Sequence, residues 1–197
     1  MQAKTLTPQE LNQVLSTASQ CNRWGLRNRM LLLITHWSGM RVCEVASLRI
    51  SDVLDVRGDV MNEVQLNASQ TKGSHCRVVV FPQRLQTELR AYIKKQFGFR
   101  SLVGVAYEFG HKPLFYTQKR NAFSPNTLTQ TFAAIYREAG IKGATSHTGR
   151  RTWLTQLAAK GANVRVLQSL AGHRSLAVTQ RYIEVNDNLR RTVAEMI

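Results

Sequence analysis

Acidic residues are scarce in this chain. Its 197 residues include 12 Asp and Glu against 27 Lys and Arg, which gives a formal net charge of +15. The excess is spread along the chain and is not confined to a tail, so a folded body of this charge is expected to bind a polyanion. Nucleic acid is the first candidate. An anionic membrane surface is the alternative, but the sequence lacks the long cationic amphipathic helix that such a surface would need.

Cysteines and long apolar runs are also few. Cys21, Cys43 and Cys76 are odd in number and widely spaced, which excludes a disulfide framework and a CxxC metal pair. The longest apolar run, Met30 to Ile34, is too short to cross a bilayer, and the amino end lacks the apolar core of a signal peptide. We therefore expect a cytoplasmic protein with no membrane partner.

The hydrophobic pattern predicts a mostly α-helical protein with one small antiparallel β-sheet, an α+β fold. Helical periodicity and capping signals predict helices from Pro8, over 26–38, 41–48 and 82–97, from Pro125 to before Gly140, and over 147–160, 163–171, 176–183 and 187–196. Period-two alternation between 51 and 81 predicts the sheet, and 98–111 is predicted to be a long loop. No repeat or low-complexity segment divides the chain.

Several polar residues stand where a ligand could be bound. Arg41 and Glu44 are three apart on a predicted helix and can touch. Their pairing is either a surface ion pair or a means of turning the guanidinium toward a ligand, and we favour the second. His147 and Arg150 lie together at a predicted helix amino end, which suits an anion. A capping histidine beside a solvated arginine is the alternative there, and local sequence does not separate the two.

Four segments, taken together, resemble the successive catalytic boxes of the tyrosine recombinase (phage integrase) family, in that family's order and spacing. They are SGMRVCEVASLRISD (38–52), TKGSHCR (71–77), HTGR (147–150) and GHRSLAVTQRY (172–182). The resemblance covers nearly the whole chain. Thr148-Gly149 departs from the family pattern, which usually has an apolar residue there, and Arg151 stands where histidine is common. We expect Gly149 to loosen its helix turn without removing a catalytic group.

The resemblance implies a site-specific DNA recombinase that breaks and rejoins strands through a covalent 3′-phosphotyrosine. The implied catalytic residues are Arg41, Lys72, His147, Arg150, His173 and the nucleophile Tyr182. The two arginines would grip the non-bridging oxygens of the scissile phosphate, and His173 would hydrogen-bond one of them. His147 would take the phenolic proton, and Lys72 would protonate the leaving 5′-oxygen. From local sequence alone, Lys72 is more simply a solvated turn lysine.

The resemblance also implies how the chain is organised and what it binds. We expect one catalytic domain over 1–197, without an N-terminal core-binding domain, in which a helix at about 187–196 docks on a neighbouring protomer. Double-stranded DNA is the expected partner, in a homo-tetramer that is monomeric off DNA, and accessory DNA-bending proteins fit this scheme. Neither metal nor cofactor is expected. The resemblance further implies a protein encoded by a bacterium, an archaeon or a phage and associated with the nucleoid. The alternatives are a type IB topoisomerase-like enzyme and a non-catalytic DNA-binding regulator with the same fold.

Other basic and histidine residues are assigned more simply. Further phosphate contacts are predicted, with plain solvated charge as the alternative, at Lys119, Arg120, Arg151 and Arg174. His36 lies on the helix predicted to be buried, and we expect it to be a satisfied polar group of the core. His75 and His111 are predicted turn and loop residues without a catalytic role.

Overall fold

The computed structural model of the chain describes residues 3–71, 75–182 and 194–195. Its helices are α1 (Pro8–Ser19), α2 (Gly25–Ser38), α3 (Val42–Ser47), α4 (Ile50–Val53), α5 (Gln83–Phe97), α6 (Val105–Phe109), α7 (Pro125–Glu138), α8 (Thr148–Ala159), α9 (Val164–Ala171) and α10 (Leu176–Gln180). Its strands are β1 (Glu63–Leu66) and β2 (Arg77–Val80). The predicted fold class, mostly α with one small antiparallel sheet, is confirmed.

The first helix begins where its capping signal predicts. The Thr7 hydroxyl accepts a hydrogen bond from the Glu10 amide (3.2 Å), and the Glu10 carboxylate accepts one from the Thr7 amide (2.9 Å). These reciprocal bonds satisfy amide groups that have no partner inside the helix. The apolar face of α1 then places Val14 and Ala18 in the core.

The central helix α2 is apolar on nearly every side, and it is buried on nearly every side. Leu31, Leu32 and Leu33 have no exposed surface, and α1, α5 and α8 all pack on this helix. It ends at Gly39, whose φ of 65° is left-handed. A side chain at Gly39 would also collide with the ring of Trp153 on α8. Glycine is therefore needed twice over at the point where the chain turns toward Arg41.

The sheet is smaller than the alternating pattern predicts. β1 and β2 pair antiparallel with Val64 opposite Val79. The strand predicted around Val53 is wrong, because Ile50–Val53 forms α4, and its neighbour Leu54 makes an isolated antiparallel bridge to Val60. The Asp52 carboxylate accepts a hydrogen bond from the Arg49 amide (2.8 Å) and starts a helical turn. Alternation over so few residues does not distinguish a strand from one turn of helix.

The predicted long loop at 98–111 is also partly wrong, because it contains α6. This helix follows Gly104, whose φ is 76°, and it buries Val105. A helix of five residues is too short to show a period in the sequence. After α6, isolated bridges join Arg49 to Pro113 and Tyr116 to Ala122.

The last third of the described chain carries α8, α9 and α10. Helix α8 packs along α2, and α9 ends at Gly172 in the left-handed conformation (φ 60°). Helix α10 ends at Gln180, residues 181–182 form a turn, and the helix predicted for 187–196 falls outside the described residues except at 194–195. In the part of the chain that is described, no helix has both the length and the apolar character needed to cross a bilayer.

Candidate active site

Arg41 lies between the end of α2 and the start of α3, and both its side chain and its amide donate to Glu44. Nη1 of Arg41 donates to Oε1 of Glu44 (2.9 Å), and the Arg41 amide donates to Oε2 (2.7 Å). Glu44 is completely buried, so its charge requires partners in the protein. Nη2 of Arg41 donates to the carbonyl oxygen of Gly172 (3.1 Å). Arg41 and Glu44 are therefore paired through a buried carboxylate. The role of this pair in ligand binding stays a prediction.

Arg150 lies on the first turn of α8, and its guanidinium crosses to the end of α2. Nη1 donates to the Gly39 carbonyl oxygen and Nη2 to the Ala171 carbonyl oxygen, both at 2.6 Å. The same Ala171 oxygen accepts a longer bond from Nη2 of Arg41 (3.4 Å). The two arginines thus meet at one carbonyl group, although 109 residues separate them in the sequence. Their side chains come from different helices and converge on one place.

His173 follows the Gly172 turn and contacts Arg150 on one side and Thr179 on the other. Its Nε2 lies 3.0 Å from Nη2 of Arg150, and its Nδ1 lies 2.9 Å from the Thr179 hydroxyl. Because a guanidinium only donates, Nε2 must accept, so we assign the proton of the neutral ring to Nδ1. Arg150 thus fixes the tautomer, and the hydroxyl oxygen of Thr179, which is completely buried, accepts the bond from Nδ1.

Tyr182 lies beside His173, in the turn after α10. The two rings stack with centroids 6.0 Å apart and an interplanar angle of 19°. Tyr182, His147, Arg150 and Arg151 line one cavity of about 400 Å³. A neighbouring cavity of about 830 Å³ is lined by Arg41, Arg77, His173 and Arg174, among others. The contact between Arg150 and His173 joins the two cavities.

Positive charges are concentrated in the site. Burial, together with the positive charges of Arg41 and Arg77, lowers the pKa of Arg150 to about 9. Burial, followed by the charges of the same arginines and Arg150, lowers the pKa of His173 to about 4. Like charges crowded into a concave, partly buried place raise the free energy of the empty site, and a bound anion would offset that cost. No cluster suited to a metal ion occurs among the described residues.

Arg77 and Thr179 were not assigned a role from the sequence. Arg77 lies on the same face of β2 as the buried Val79, and an arginine on the apolar face of a strand is the signal that could have found it. Nη1 of Arg77 donates to both oxygens of Glu44 (2.9 and 3.1 Å). For Thr179 the only signal is its place in the same short segment as His173 and Tyr182.

Two expectations about the core near the site require correction. Gly149 does not loosen its helix turn, because it is packed so closely on α2 that a side chain there would collide with Thr35. His36 is buried as predicted, and its Nδ1 contacts the Leu32 carbonyl oxygen (2.9 Å). Its Nε2, however, has no partner among the described residues. Burial lowers the pKa of His36 to about 4, so the ring stays neutral at neutral pH.

The remaining predicted site residues fall in three places. Lys72 lies outside the described residues. Arg151 and Arg174 line the two cavities of the site. Lys119 and Arg120 lie in one turn at the amino end of α2. Lys119 lines a cavity together with Arg27, and Arg120 lines another together with Trp24. Helix α2 is 14 residues long, about 20 Å at the usual rise per residue, so the structure does not bring this turn to the site.

The sequence and fold are similar to those of known proteins. A sequence model of the phage integrase family matches residues 4–188. Tyrosine recombinase XerA of Pyrococcus furiosus is 27% identical over 186 residues, which covers 92% of this chain and 57% of the archaeal protein. A crystal structure of XerA recombinase superposes with a TM-score of 0.71 at 23% identity, covering 99% of this chain and 65% of that one.

A second solved structure of the same fold is XerH site-specific recombinase bound to its palindromic difH substrate in a post-cleavage complex. It has a TM-score of 0.70 at 22% identity over 98% of this chain and 52% of its own. The chain therefore spans between about half and two thirds of the length of these relatives.

Proposed function

Because the chain belongs to the phage integrase family, we propose that it is a site-specific DNA recombinase that breaks and rejoins strands through a covalent 3′-phosphotyrosine. One observation carries the proposal. The guanidinium groups of Arg41 and Arg150 meet at the Ala171 carbonyl, and the phenol of Tyr182 shares a cavity with Arg150. A phosphodiester bound between the arginines would lie within reach of that phenol.

The proposed reaction needs a phosphate held by paired donors and a nucleophile beside it. The oxygen of Tyr182 attacks phosphorus, and the bond from phosphorus to the 5′-oxygen breaks. The phenolic proton passes to His147, and the leaving 5′-oxygen takes a proton from Lys72. Arg41 and Arg150 stabilise the charge that grows on the non-bridging oxygens. Because the phosphate stays esterified, now to Tyr182, a 5′-hydroxyl from another strand can attack it and reverse the step without an energy source.

His173 needs a change of partner or of protonation to take part in this reaction. In the DNA-free structure its Nε2 accepts from Arg150, whereas donation to a phosphate oxygen requires a proton on Nε2. A bound phosphate would offset the arginine charges that help to lower the pKa of His173, so proton uptake at this ring on binding is the simplest route. The neutral ring of the free protein would then become an imidazolium that contacts the phosphate.

Double-stranded DNA is the proposed substrate. The net charge of +15 agrees with it, and so do the arginines that line both cavities of the site. XerH is bound to difH DNA in its solved complex. A homo-tetramer on DNA, formed through the segment at 187–196, and a cytoplasmic, nucleoid-associated location remain part of the proposal.

The deciding experiment traps the covalent intermediate. The protein is incubated with nicked duplexes taken from the DNA on both sides of its gene, designed so that the short fragment that carries the new 5′-hydroxyl diffuses away. We expect a protein–DNA adduct that resists SDS, forms with one of these duplexes and is absent with Tyr182→Phe. Mass spectrometry should find the nucleotide on Tyr182. Specific binding without any adduct would favour the regulator, and relaxation of any supercoiled plasmid would favour the topoisomerase.

A second experiment tests the proposed acid. Lys72→Ala should bind DNA normally but fail to cleave it, because an unprotonated 5′-alkoxide is a poor leaving group. A substrate with sulfur in place of the bridging 5′-oxygen has a leaving group that needs no proton, so it should restore cleavage. If sulfur does not restore cleavage, the acid is another residue.

A further inference from the structure

The guanidinium of Arg77 is buried at the junction of three elements. Its side chain is 7% exposed. Nη1 bridges both oxygens of Glu44 on α3, and Nη2 donates to the Leu170 carbonyl oxygen near the end of α9 (3.0 Å). Arg77 itself begins β2. One side chain therefore ties the strand, the helix that carries Glu44 and the segment that leads to His173.

Arg41 depends on Arg77 through the carboxylate that both residues share. Glu44 accepts from the side chain and the amide of Arg41, and twice from Nη1 of Arg77. Without Arg77, a completely buried carboxylate would lose half of these bonds, and its remaining bonds would all go to one residue. Glu44 could then rotate toward Arg41, which would turn the guanidinium away from the place where it meets Arg150.

The turn that carries His173 rests directly on Arg77. A Cβ atom at Gly172 would lie 2.8 Å from Cδ and 3.1 Å from Nε of Arg77. Nε of Arg77 is buried and has no hydrogen-bond partner among the described residues. A donor left unsatisfied costs free energy, so the close packing of this turn on the arginine is kept despite that cost. A role of Arg77 in the active site would explain why this packing is retained.

The charge of Arg77 also reaches the functional groups. It is one of the charges that lower the pKa values of Arg150 and His173. Burial lowers the pKa of Arg77 itself, and Glu44 opposes that shift. Arg77 therefore has two measurable effects on the site, one through its hydrogen bonds and one through its charge.

We propose that Arg77 is a positioning residue of the active site. It sets the orientation of Arg41 through Glu44, and it sets the position of the Gly172–His173 turn by packing against Gly172 and by its hydrogen bond to the Leu170 carbonyl oxygen. This inference rests on the proposed recombinase function. It assigns Arg77 no contact with the scissile phosphate. The hydrogen-bonding geometry of Arg77 matters to the reaction, and a charge alone at this position is not enough.

The test compares Arg77→Met and Arg77→Lys with the matched control Arg29→Met. Arg29 makes a two-bond ion pair with Glu88 (2.6 and 2.7 Å) that joins α2 to α5 away from the site. Three quantities are measured for each protein: the rate of adduct formation on the nicked duplex, the Kd for DNA, and the pKa of His173 by NMR titration. The melting temperature of each variant reports any general loss of stability.

We expect Arg77→Met to slow adduct formation about 100-fold, the size of effect that small misplacements of reacting groups produce, with a smaller change in Kd. The pKa of His173 should rise because one cation is removed. Arg77→Lys should keep the pKa of His173 low but remain slow, since an ammonium cannot reproduce the planar fork of the guanidinium. Arg29→Met should react at the wild-type rate.

The inference is wrong if Arg77→Lys reacts as fast as wild type, or if the loss of rate in both Arg77 variants simply follows the loss of melting temperature. If Arg77→Met does not fold, the lysine variant decides. If wild-type protein forms no adduct, the proposed function has failed, and an unchanged pKa of His173 in a folded Arg77→Met variant would overturn the electrostatic part of the inference separately.

Discussion

Two buried arginines lie at opposite ends of α2, and they differ in the charges that surround them. Arg27, on the first turn, is 5% exposed, as is Arg150, which reaches the carbonyl oxygen of Gly39 at the far end. Arg27 donates to the Asn28 side chain and to the Tyr116 carbonyl oxygen. Its guanidinium also lies over the rings of Trp24 (4.6 Å) and Phe123 (5.2 Å). Its surroundings are neutral acceptors and aromatic faces.

Arg150 lies close to other positive charges. Burial lowers the pKa of both arginines, but at Arg150 the charges of Arg41 and Arg77 lower it further. A cation that serves only the fold is given partners that compensate it. Arg150 also donates to the carbonyl oxygens of Gly39 and Ala171 and has Glu44 nearby, but its like charges leave a cost that a bound anion would offset. That cost, which Arg27 lacks, separates a structural arginine from a functional one.

The largest effect is expected at the crowded end. Arg150→Met should lower the rate of adduct formation on a nicked duplex about a thousandfold, because a donor to the growing negative charge is lost. Single-turnover kinetics with saturating protein measure this rate. The melting temperature should fall less than in Arg27→Met, because removal of a like charge offsets part of the loss of the bonds to the Gly39 and Ala171 carbonyl oxygens. A rate within tenfold of wild type would show that Arg150 does not contact the reacting phosphate.

The amino end of α2 should give the opposite result. Arg27→Met leaves the Tyr116 carbonyl oxygen and the Asn28 side chain without their donor, and we expect a loss of about 3 kcal/mol in the free energy of unfolding. Urea unfolding followed by circular dichroism measures it. The folded fraction should form adduct at the wild-type rate. If cleavage falls while stability holds, the two ends do not differ in the way described.

A smaller effect is expected for Thr179, which accepts the bond from Nδ1 of His173. Thr179→Val keeps the shape of a completely buried side chain but removes the acceptor for Nδ1. Loss of one such hydrogen bond is worth about 1 kcal/mol, so adduct formation should slow by about a factor of five to ten. Thr179→Ser should restore it. Nitrogen chemical shifts of His173 report the tautomer directly, and equal spectra for the valine and serine variants would contradict the assignment.

The smallest effect at neutral pH is a proton taken up when an anion binds. The pKa of His173 is about 4 in the free protein, and a bound phosphate should raise it toward the ordinary value near 6.5. Between these two values the complex holds more protons than the free protein, so affinity should increase as pH falls, by at most tenfold per pH unit. Titration calorimetry with a short duplex, in buffers of different ionisation enthalpy, counts the protons. His173→Gln should remove the difference between buffers.

Much of the fold follows from local signals in the sequence. The capping box at Thr7 and the glycine stop at Gly39 predict helix ends because each reports a local hydrogen bond or backbone conformation. The strand predicted at Ser51 and the loop predicted at 98–111 were wrong for a related reason. One or two turns are too short for a period to be recognised, so longer-range packing decides their conformation.

The candidate site divides in the same manner. The residues in the family-like segments could be named from the sequence because spacing and residue type carry the resemblance. The partners of Arg77 could not, because Glu44 is 33 residues away and the Leu170 carbonyl 93 residues away. A backbone carbonyl also carries no mark in the sequence that would identify it as an acceptor. The close packing of α8 on α2 at Gly149 could likewise not be predicted from a local pattern.

By itself, the sequence determined the basic charge, the mostly helical fold class and the set of residues from which a phosphate site could be built. Each of these depends on composition or on short-range order along the chain. Only the tertiary structure decided that Arg41 and Arg150 meet at Ala171, that Glu44 is shared with Arg77, and that His173 is held neutral. These depend on burial and on distances between segments remote in sequence, which exist only once the helices have packed.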